Sequence, residues 1–230
     1  MKPIIFCNIA YMKYYKGIID GVDEPVNGGA YVQETNDAHE AYNFDFFRGE
    51  GDETDFCIGF VMLAQSLKNK TSQLHIEKIN GCQLSKNEES VDGVTVVWCA
   101  KSDKIDGMRV VGWYKDATVY RYPQFVDFIN GYVQKFNFID KKENCVLLPE
   151  NERFSSKWIV PRSGHNGYDF GFGRSNLWYA HPVVYGTSQE ETFLGRDLGQ
   201  GKGYSETTAA EIDGEMRDNI IFFYIINYLS

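Results

Sequence analysis

The sequence has no C-x-x-C pair, no G-x-S-x-G, no internal repeat and no low-complexity tract. Each absence closes a class of explanation. The five cysteines (Cys7, Cys57, Cys82, Cys99 and Cys145) are widely spaced and odd in number, and none of the four histidines stands near one in sequence. A clustered zinc site is therefore not indicated. Buried free thiols in a reducing compartment are the simpler reading, above all for Cys7, Cys57 and Cys99, which sit in apolar runs. Long apolar runs are also missing. In the opening MKPIIFCNIAYMKYYKG the apolar part is too short for a signal peptide and is broken by Tyr and Lys. Near the end, IIFFYIINYL is apolar but about half the length a membrane span requires. A cytoplasmic protein without a membrane partner is expected. Cations are scarce as well: 23 Lys and Arg stand against 32 Asp and Glu, for a formal net charge of −9. Basic nucleic-acid binders have the opposite balance, so contact with DNA requires a local basic patch.

Aromatic residues are plentiful. Sixteen Phe, 15 Tyr and 4 Trp make up 15% of the chain. Aromatics favour pleated, half-buried surfaces and so point first to a large β-rich core; they also serve sites that stack flat ligands. At 230 residues the chain suits one generous domain, or a domain with an appendage.

The strongest strand signal is the β-branched run VTVVWCA at 94–100, followed by a polar turn and a return strand at 108–122 that is bent or bulged near Lys115 and Asp116. Apolar runs predict further strands at 4–10, 30–32, 41–47, 56–63, 74–79, 145–148 and 157–160, with His39 and Glu40 in an exposed acidic turn. Residues 124–138 carry apolar side chains at helical offsets (Phe125, Phe128, Ile129, Tyr132, Val133, Phe136) and predict a helix. A glycine-rich loop occupies 162–174, a short aromatic element 175–180, a glycine linker 195–203 and a second predicted helix 208–229. The pattern implies a β-rich α+β fold, a small barrel or sandwich with attached helices, over residues 1–195, with a linker and helical tail over 196–230.

Nuclease motifs are incomplete. His165-Asn166 matches the start of an HNH element but lacks its second histidine. In His75-Ile76-Glu77-Lys78 the acid and lysine are adjacent, so on a strand they would face opposite ways and fail a PD-(D/E)xK arrangement. A metal-dependent nuclease would have to draw on acids such as Asp52, Glu53, Asp55 and Glu77. The loop GYDFGFGR does not sit between a strand and a long helix, so it is no dinucleotide fingerprint. Its glycines, with Arg162 and Arg174, would let backbone amides and guanidiniums approach a phosphate, although an ordinary surface loop has the same composition.

Six segments carry a family resemblance in order: IAYMKYYKG (9–17), GGAYV (28–32), HEAYNF (39–44), VVWCA (96–100), VVGWYKDATVYR (110–121) and SNLWYA (175–180). Together they resemble an N-terminal module found ahead of nuclease domains in bacterial modification-dependent or defence-type restriction proteins. The stretch 96–121 also resembles the centre of a PUA-like barrel of the EVE and YTH kind, whose members hold a flipped, often methylated base in an aromatic pocket. The resemblance implies a reader of modified double-stranded DNA that is not itself catalytic, needs no cofactor or metal, and works with a fused or partner nuclease. By the same resemblance Trp113 and Tyr114 line the pocket with Trp178 as a third wall, Tyr120 and Tyr11 contribute less, and Asn176 reads a base edge. Lys13, Lys115, Arg121 and Arg174, joined by Arg162, would hold phosphates. A methyl group buried in such a cage adds on the order of 1 kcal/mol. A third possibility is a protein-interaction domain using the acidic surface and the C-terminal helix.

Overall fold

The computed structural model describes residues 3–27, 39–49, 51, 53–63, 73–127, 133–165 and 170–180. The strand expected at 30–32, the glycine linker, the helix at 208–229 and the boundary near 196 lie outside them. The described chain is β-rich. Its strands are β1 (Ile4–Ile9), β2 (Phe46–Phe47), β3 (Phe56–Gly59), β4 (Ser90–Ala100), β5 (Met108–Asp127), β6 (Val133–Lys141), β7 (Cys145–Leu147), β8 (Ile159–Val160) and β9 (Leu177–Trp178). They form one sheet in the order β2-β3-β6-β5-β4-β1-β9, with β7 and β8 also paired to β5. The path is open among the described residues: its end strands, β2 and β9, are not paired with each other, so no closed barrel forms.

β5 organises this sheet because it is long enough to serve two sets of partners. Its first part pairs with β8 and β7, its second with β6, and β4 runs antiparallel beside it. The expected irregularity at Lys115 and Asp116 is present. Val94 pairs with Ala117 and Val96 with Tyr114, so two steps along β4 meet three along β5. That extra residue is a bulge, and the amide of Asp116 donates to the Asp140 carboxylate at 2.8 Å instead of to a strand.

β1 adds to the far side of β4 in parallel, Ile4 opposite Thr95 through Ile9 opposite Ala100. Because strand side chains alternate, the two faces of β1, β4 and β5 bury different sets. Ile5, Cys7 and Ile9 join Val96, Trp98, Val111 and Tyr114 on one face. Ile4 and Phe6 join Val97, Cys99, Val110 and Trp113 on the other. Burial on both faces explains why residues 94–100 read as a continuous apolar run. All five cysteines are free thiols, and Cys145 alone of them is only partly buried.

Three sequence expectations are corrected. Residues 124–138 hold no helix among those described: β5 continues to Asp127 and β6 starts at Val133, pairing Phe125 with Lys135 and Gln124 with Phe136. Phe125 and Val133, expected on a buried helical face, are exposed. The aromatic and β-branched content of the segment prevails over its helical spacing. The strand expected at 74–79 is a 3-10 turn, Ile76–Lys78, with Leu74, Ile76 and Ile79 all fully buried. In 41–47 only Phe46–Phe47 is strand; His39–Tyr42 is a 3-10 turn, and Glu40 is buried, not exposed. Among the described residues no helix is long and apolar enough to cross a membrane.

Candidate nucleic-acid interface

Where β1 ends, the chain enters an irregular loop, residues 10–17, held by buried polar groups from three other parts of the sequence. The Asp23 carboxylate, 2% exposed, accepts hydrogen bonds from three consecutive amides: Lys13 at 2.6 Å, Tyr14 at 2.8 Å and Tyr15 at 3.3 Å. Arg153 is 1% exposed and donates to the carbonyls of Met12 and Lys13, each at 2.8 Å, and of Leu148 at 2.7 Å. Glu40 accepts from the amides of Ala10 at 2.8 Å and Met62 at 3.2 Å. Burial raises its carboxyl to about 7, and the two amides only partly offset that rise. Tyr15, fully buried, donates its hydroxyl to the Ala10 carbonyl at 2.8 Å and takes a left-handed φ of 53°. Gly17 follows at φ +95°, with the Tyr42 ring 3.1 Å from where a Cβ would stand.

Burying charged groups is costly unless hydrogen bonds compensate, and here the compensation is spent on fixing a loop. The fixed backbone buries Tyr15 and presents Lys13, Tyr14 and Lys16 outward. Tyr14 is 42% exposed, with the Lys13 ammonium 4.9 Å from its ring centre. Lys13 also pairs with Glu150 at 3.5 Å. Lys13 titrates above the ordinary lysine range, through its contacts with Tyr14 first and Glu150 second.

The sheet topology gathers further cations at this same end. β4 runs parallel to β1 with Ala100 opposite Ile9, so Lys101 and Lys104 follow Ala100 where Ala10 and Tyr11 follow Ile9. β9 runs antiparallel to β1 with Phe6 opposite Trp178 and Cys7 opposite Leu177, so tracing back to Arg174 leads towards Ala10. The amide of Asn8 donates to the Asn176 carbonyl at 2.8 Å, which continues that register. β8 pairs Val160 with Met108 at the start of β5, and Arg162 lies two residues beyond. Lys13, Lys16, Lys101, Lys104, Arg162 and Arg174, scattered in sequence, thus emerge at one end of the sheet. Glu150 binds both Lys13 and Lys104, and Asp106 lies 3.6 Å from Lys101, so part of this charge is internally neutralised.

The glycine loop is pinned at its base. Ser163 donates its amide to Phe172 and Phe172 to Pro161, at 3.0 and 3.1 Å. Gly171 has φ +105°, and a Cβ there would fall 2.2 Å from the Pro161 oxygen, so only glycine fits. Arg162, His165 and Arg174 are exposed on it. Asn166 lies outside the described residues.

The residues expected to form a base pocket are not brought together. Trp113 and Tyr114 are neighbours on a strand and therefore point to opposite faces. Trp113 stacks near Trp158, ring centres 5.8 Å apart, in one core cluster. Tyr114 is fully buried in the other, its hydroxyl donating to the carbonyls of Asn43 and Ile58. Trp178 is partly buried against Phe6 at 4.5 Å and Phe172 at 6.0 Å. Tyr11 is buried beside Phe154, and Tyr120, half-buried, meets Phe136 edge-on at 5.9 Å. Asn176 donates to the Met62 carbonyl at 2.9 Å and accepts from the Asn8 side chain at 3.2 Å, so its amide is occupied internally.

Of the expected phosphate ligands, Lys13, Arg162 and Arg174 lie at the cationic end. Lys115 is exposed on the bulge of β5. Arg121 is structural: 7% exposed, it binds the Glu77 carboxylate at 2.7 Å and the carbonyls of Ser85, Lys86 and Glu88, each at 2.9 Å. Asp55 is held by Arg48 at 2.7 Å and Lys142 at 3.4 Å. Glu77 is held by Arg121 and by His75 at 2.9 Å. Glu53 is exposed, and Asp52 lies outside the described residues. Among the described residues no group of three or more His, Cys, Asp or Glu is arranged to hold a metal ion.

Of the rings clustered with lysines at 11–16, sequence reasoning chose Tyr11, which is buried, and not Tyr14, which is exposed, and it did not foresee Asp23, Glu40 and Arg153 as supports. The cluster YMKYYKG marked the place. Which of its rings would be buried depended on partners up to 141 residues away.

No protein-family model matches the chain. Among curated proteins, 36 residues are 58% identical to the ATP-dependent zinc metalloprotease FtsH 1 of Thermoanaerobacter sp. (strain X514), covering 16% of this chain and 6% of that protein. A stretch of 39 residues is 56% identical to the ATP-dependent zinc metalloprotease FtsH of Caldicellulosiruptor bescii, covering 17% of this chain and 6% of that one. A longer stretch, 57 residues at 40% identity, matches the FtsH of Acidobacterium capsulatum over 25% of this chain and 8% of that protein. The chain therefore spans only 6–8% of the length of these relatives, and the likeness is local. No solved structure matches.

Proposed function

We propose that this chain is a DNA-reading module of PUA-like kind, without catalytic activity of its own, that engages duplexes carrying a methylated base turned out of the stack. The observation that carries this reading is the braced loop with Tyr14 exposed between Lys13 and Lys16, set at the sheet end where Lys101, Lys104, Arg162 and Arg174 also emerge. A flat ring flanked by ammonium groups offers a base a stacking partner and its neighbouring phosphates a counter-charge. Local convergence of cations is what an acidic chain needs to approach a polyanion. Methyl selectivity and the partnership with a nuclease rest on the family resemblance. The base-contacting role passes from Trp113 and Tyr114, which fill the core, to Tyr14, with Trp178 behind the glycine loop.

Titration of the full chain with matched duplexes, methylated and unmodified, tests this at low salt. Tighter binding of the methylated duplex is expected, with an affinity that falls steeply as salt rises. Absence of binding to either duplex at low salt, or equal binding to both, overturns it.

A further inference from the structure

Beyond Tyr14, a second exposed ring lies against two lysines. Phe46, in the two-residue edge strand β2, is 41% exposed. The Lys142 ammonium lies 3.3 Å from its ring centre and the Lys16 ammonium 5.9 Å. These lysines come from the turn just after β6 and from the braced loop, far apart in sequence. Arg48, two residues along, is 57% exposed. Its guanidinium and the Lys142 ammonium converge on one carboxylate, Asp55, at 2.7 and 3.4 Å. That carboxylate titrates below the ordinary range because of its bond to Arg48 first and Lys142 second, outweighing its partial desolvation. Lys142 thus serves both groups: it lies over the Phe46 ring and, with Arg48, holds a planar anion.

Phe46 has no need to be exposed for the fold. β2 pairs Phe46 with Cys57 and Phe47 with Phe56, and Phe47 packs on the Phe56 ring at 6.1 Å. Cys57 is buried, whereas Phe46 leaves over two-fifths of its surface in water. Lys16, which lies over this ring, stands two residues from Tyr14 on the braced loop.

We infer that Phe46, with Lys16, Lys142 and Arg48, is a stacking platform for an unpaired nucleotide of single-stranded nucleic acid. Resting on the DNA-reading function, it would take the strand that is left unpaired beside an extruded base. The ring accepts any base, because every base has a π face, and the cations track the backbone, so binding is tolerant of sequence. On binding, the Lys142 ammonium moves from the ring and from Asp55 to a phosphate; its side chain is 46% exposed and able to swing.

The test uses the full chain and a fluorescein-labelled oligothymidylate of about 15 nucleotides, a length within reach of ordinary single-strand sites, read by anisotropy. Phe46→Ala weakens binding about tenfold, as loss of one stacked base does, whereas Phe46→Trp retains or improves it. Lys142→Gln lowers the slope of log affinity against log salt by about 0.7, the value for one single-strand phosphate. Thermal melts of each variant confirm folding, and Phe46→Trp keeps the test informative if Phe46→Ala is unstable. If the wild type does not bind the oligonucleotide, or if Phe46→Ala binds it as well as the wild type, the platform is overturned. Methylated duplex binding separates the two readings. Duplex binding without dependence on Phe46 removes the platform and leaves the reader. Oligonucleotide binding through Phe46 with no duplex preference does the reverse.

Discussion

The Arg153 guanidinium donates to the main-chain oxygen of Met12, 141 positions away in sequence, at 2.8 Å. Arg153 stands at the end of a four-residue helix, Glu150–Arg153, and its three donated bonds join that helix, the end of β7 and the braced loop. Replacing it by Met leaves three buried carbonyls without their donors. The expected loss is at least about 3 kcal/mol in urea denaturation, since bonds from charged donors are individually strong. Arg153→Lys, which cannot span three acceptors in a fork, recovers only part. A loss under about 1 kcal/mol for Arg153→Met would refute the bracing role.

Arg121 should behave as a core residue despite its sequence setting in VVGWYKDATVYR. Arg121→Ala is expected to destabilise the fold by about 2–4 kcal/mol, because it uncovers the Glu77 carboxylate and three carbonyls. Glu77 supplies a pH signature. Desolvation alone would raise its carboxyl, but bonds from its own backbone amide, Arg121 and His75 outweigh this and lower it to about 2. A carboxyl lower in the folded state stabilises above its unfolded value and loses that contribution as pH falls through about 2. Acid denaturation of Glu77→Gln should therefore be shallower than that of the wild type between about pH 4 and pH 2.

The strand frame was legible because burial on both faces writes itself as an unbroken β-branched run, and 94–100 has no competing reading. The bulge at Lys115 and Asp116 was legible too, since a polar pair interrupts an otherwise apolar strand. Residues 124–138 misled because Phe125, Val133 and Phe136 fit a helical spacing, and sequence alone does not say that Phe125 faces water. The pocket reading failed on an elementary point. Adjacent Trp113 and Tyr114 cannot share one face of a strand. The braced loop was visible only as a cluster of rings and lysines, because its supports, Asp23, Glu40 and Arg153, are tertiary partners with no local signature.

Glu40 gives a second pH signature of opposite sign. Its carboxyl is raised from 4.5 to about 7, chiefly by burial. Between those values the folded protein holds a proton that the unfolded chain has released, so stability falls as pH rises through this window. The shift corresponds to a loss on the order of 3 kcal/mol. Glu40→Gln cannot ionise. Apart from a constant offset from its amide, its stability relative to the wild type should rise by that amount between about pH 4 and pH 8 in urea titrations. A pH-independent difference would show that Glu40 is not buried as a carboxyl.

Gly59 tests the packing of the larger core cluster. A Cβ on Gly59 would stand 2.4 Å from Trp98 Cζ2 and 2.8 Å from its Cη2, with the Tyr114 ring at 3.3 Å. Trp98 is fully buried, edge-on to both Tyr114 and Phe138, and has no room to retreat. Gly59→Ala should cost about 1–3 kcal/mol and redden or broaden the tryptophan emission as the ring shifts. Unchanged stability would mean that the Trp98 ring yields at little cost.

The cationic end of the sheet makes a quantitative demand on the proposed DNA-reading function. Removing a side chain that neutralises one duplex phosphate lowers the slope of log affinity against log salt by about 0.9. Lys13→Gln, Arg162→Gln and Arg174→Gln should each do so, and a triple variant should approach the sum, because the three side chains arise from separate segments. Lys13 is the most instructive of them. It already has Glu150 as a partner at 3.5 Å, so in the proposed complex it would exchange one anion for another. Glu150→Gln releases both Lys13 and Lys104 and should therefore tighten duplex binding and steepen its salt dependence. Tyr14→Ala, by contrast, should weaken the methylated duplex more than the unmodified one and leave the salt slope unchanged, since a stacking ring carries no charge. If the charge variants and Tyr14→Ala altered affinity and slope alike, the division between backbone holding and base reading at this loop would be wrong.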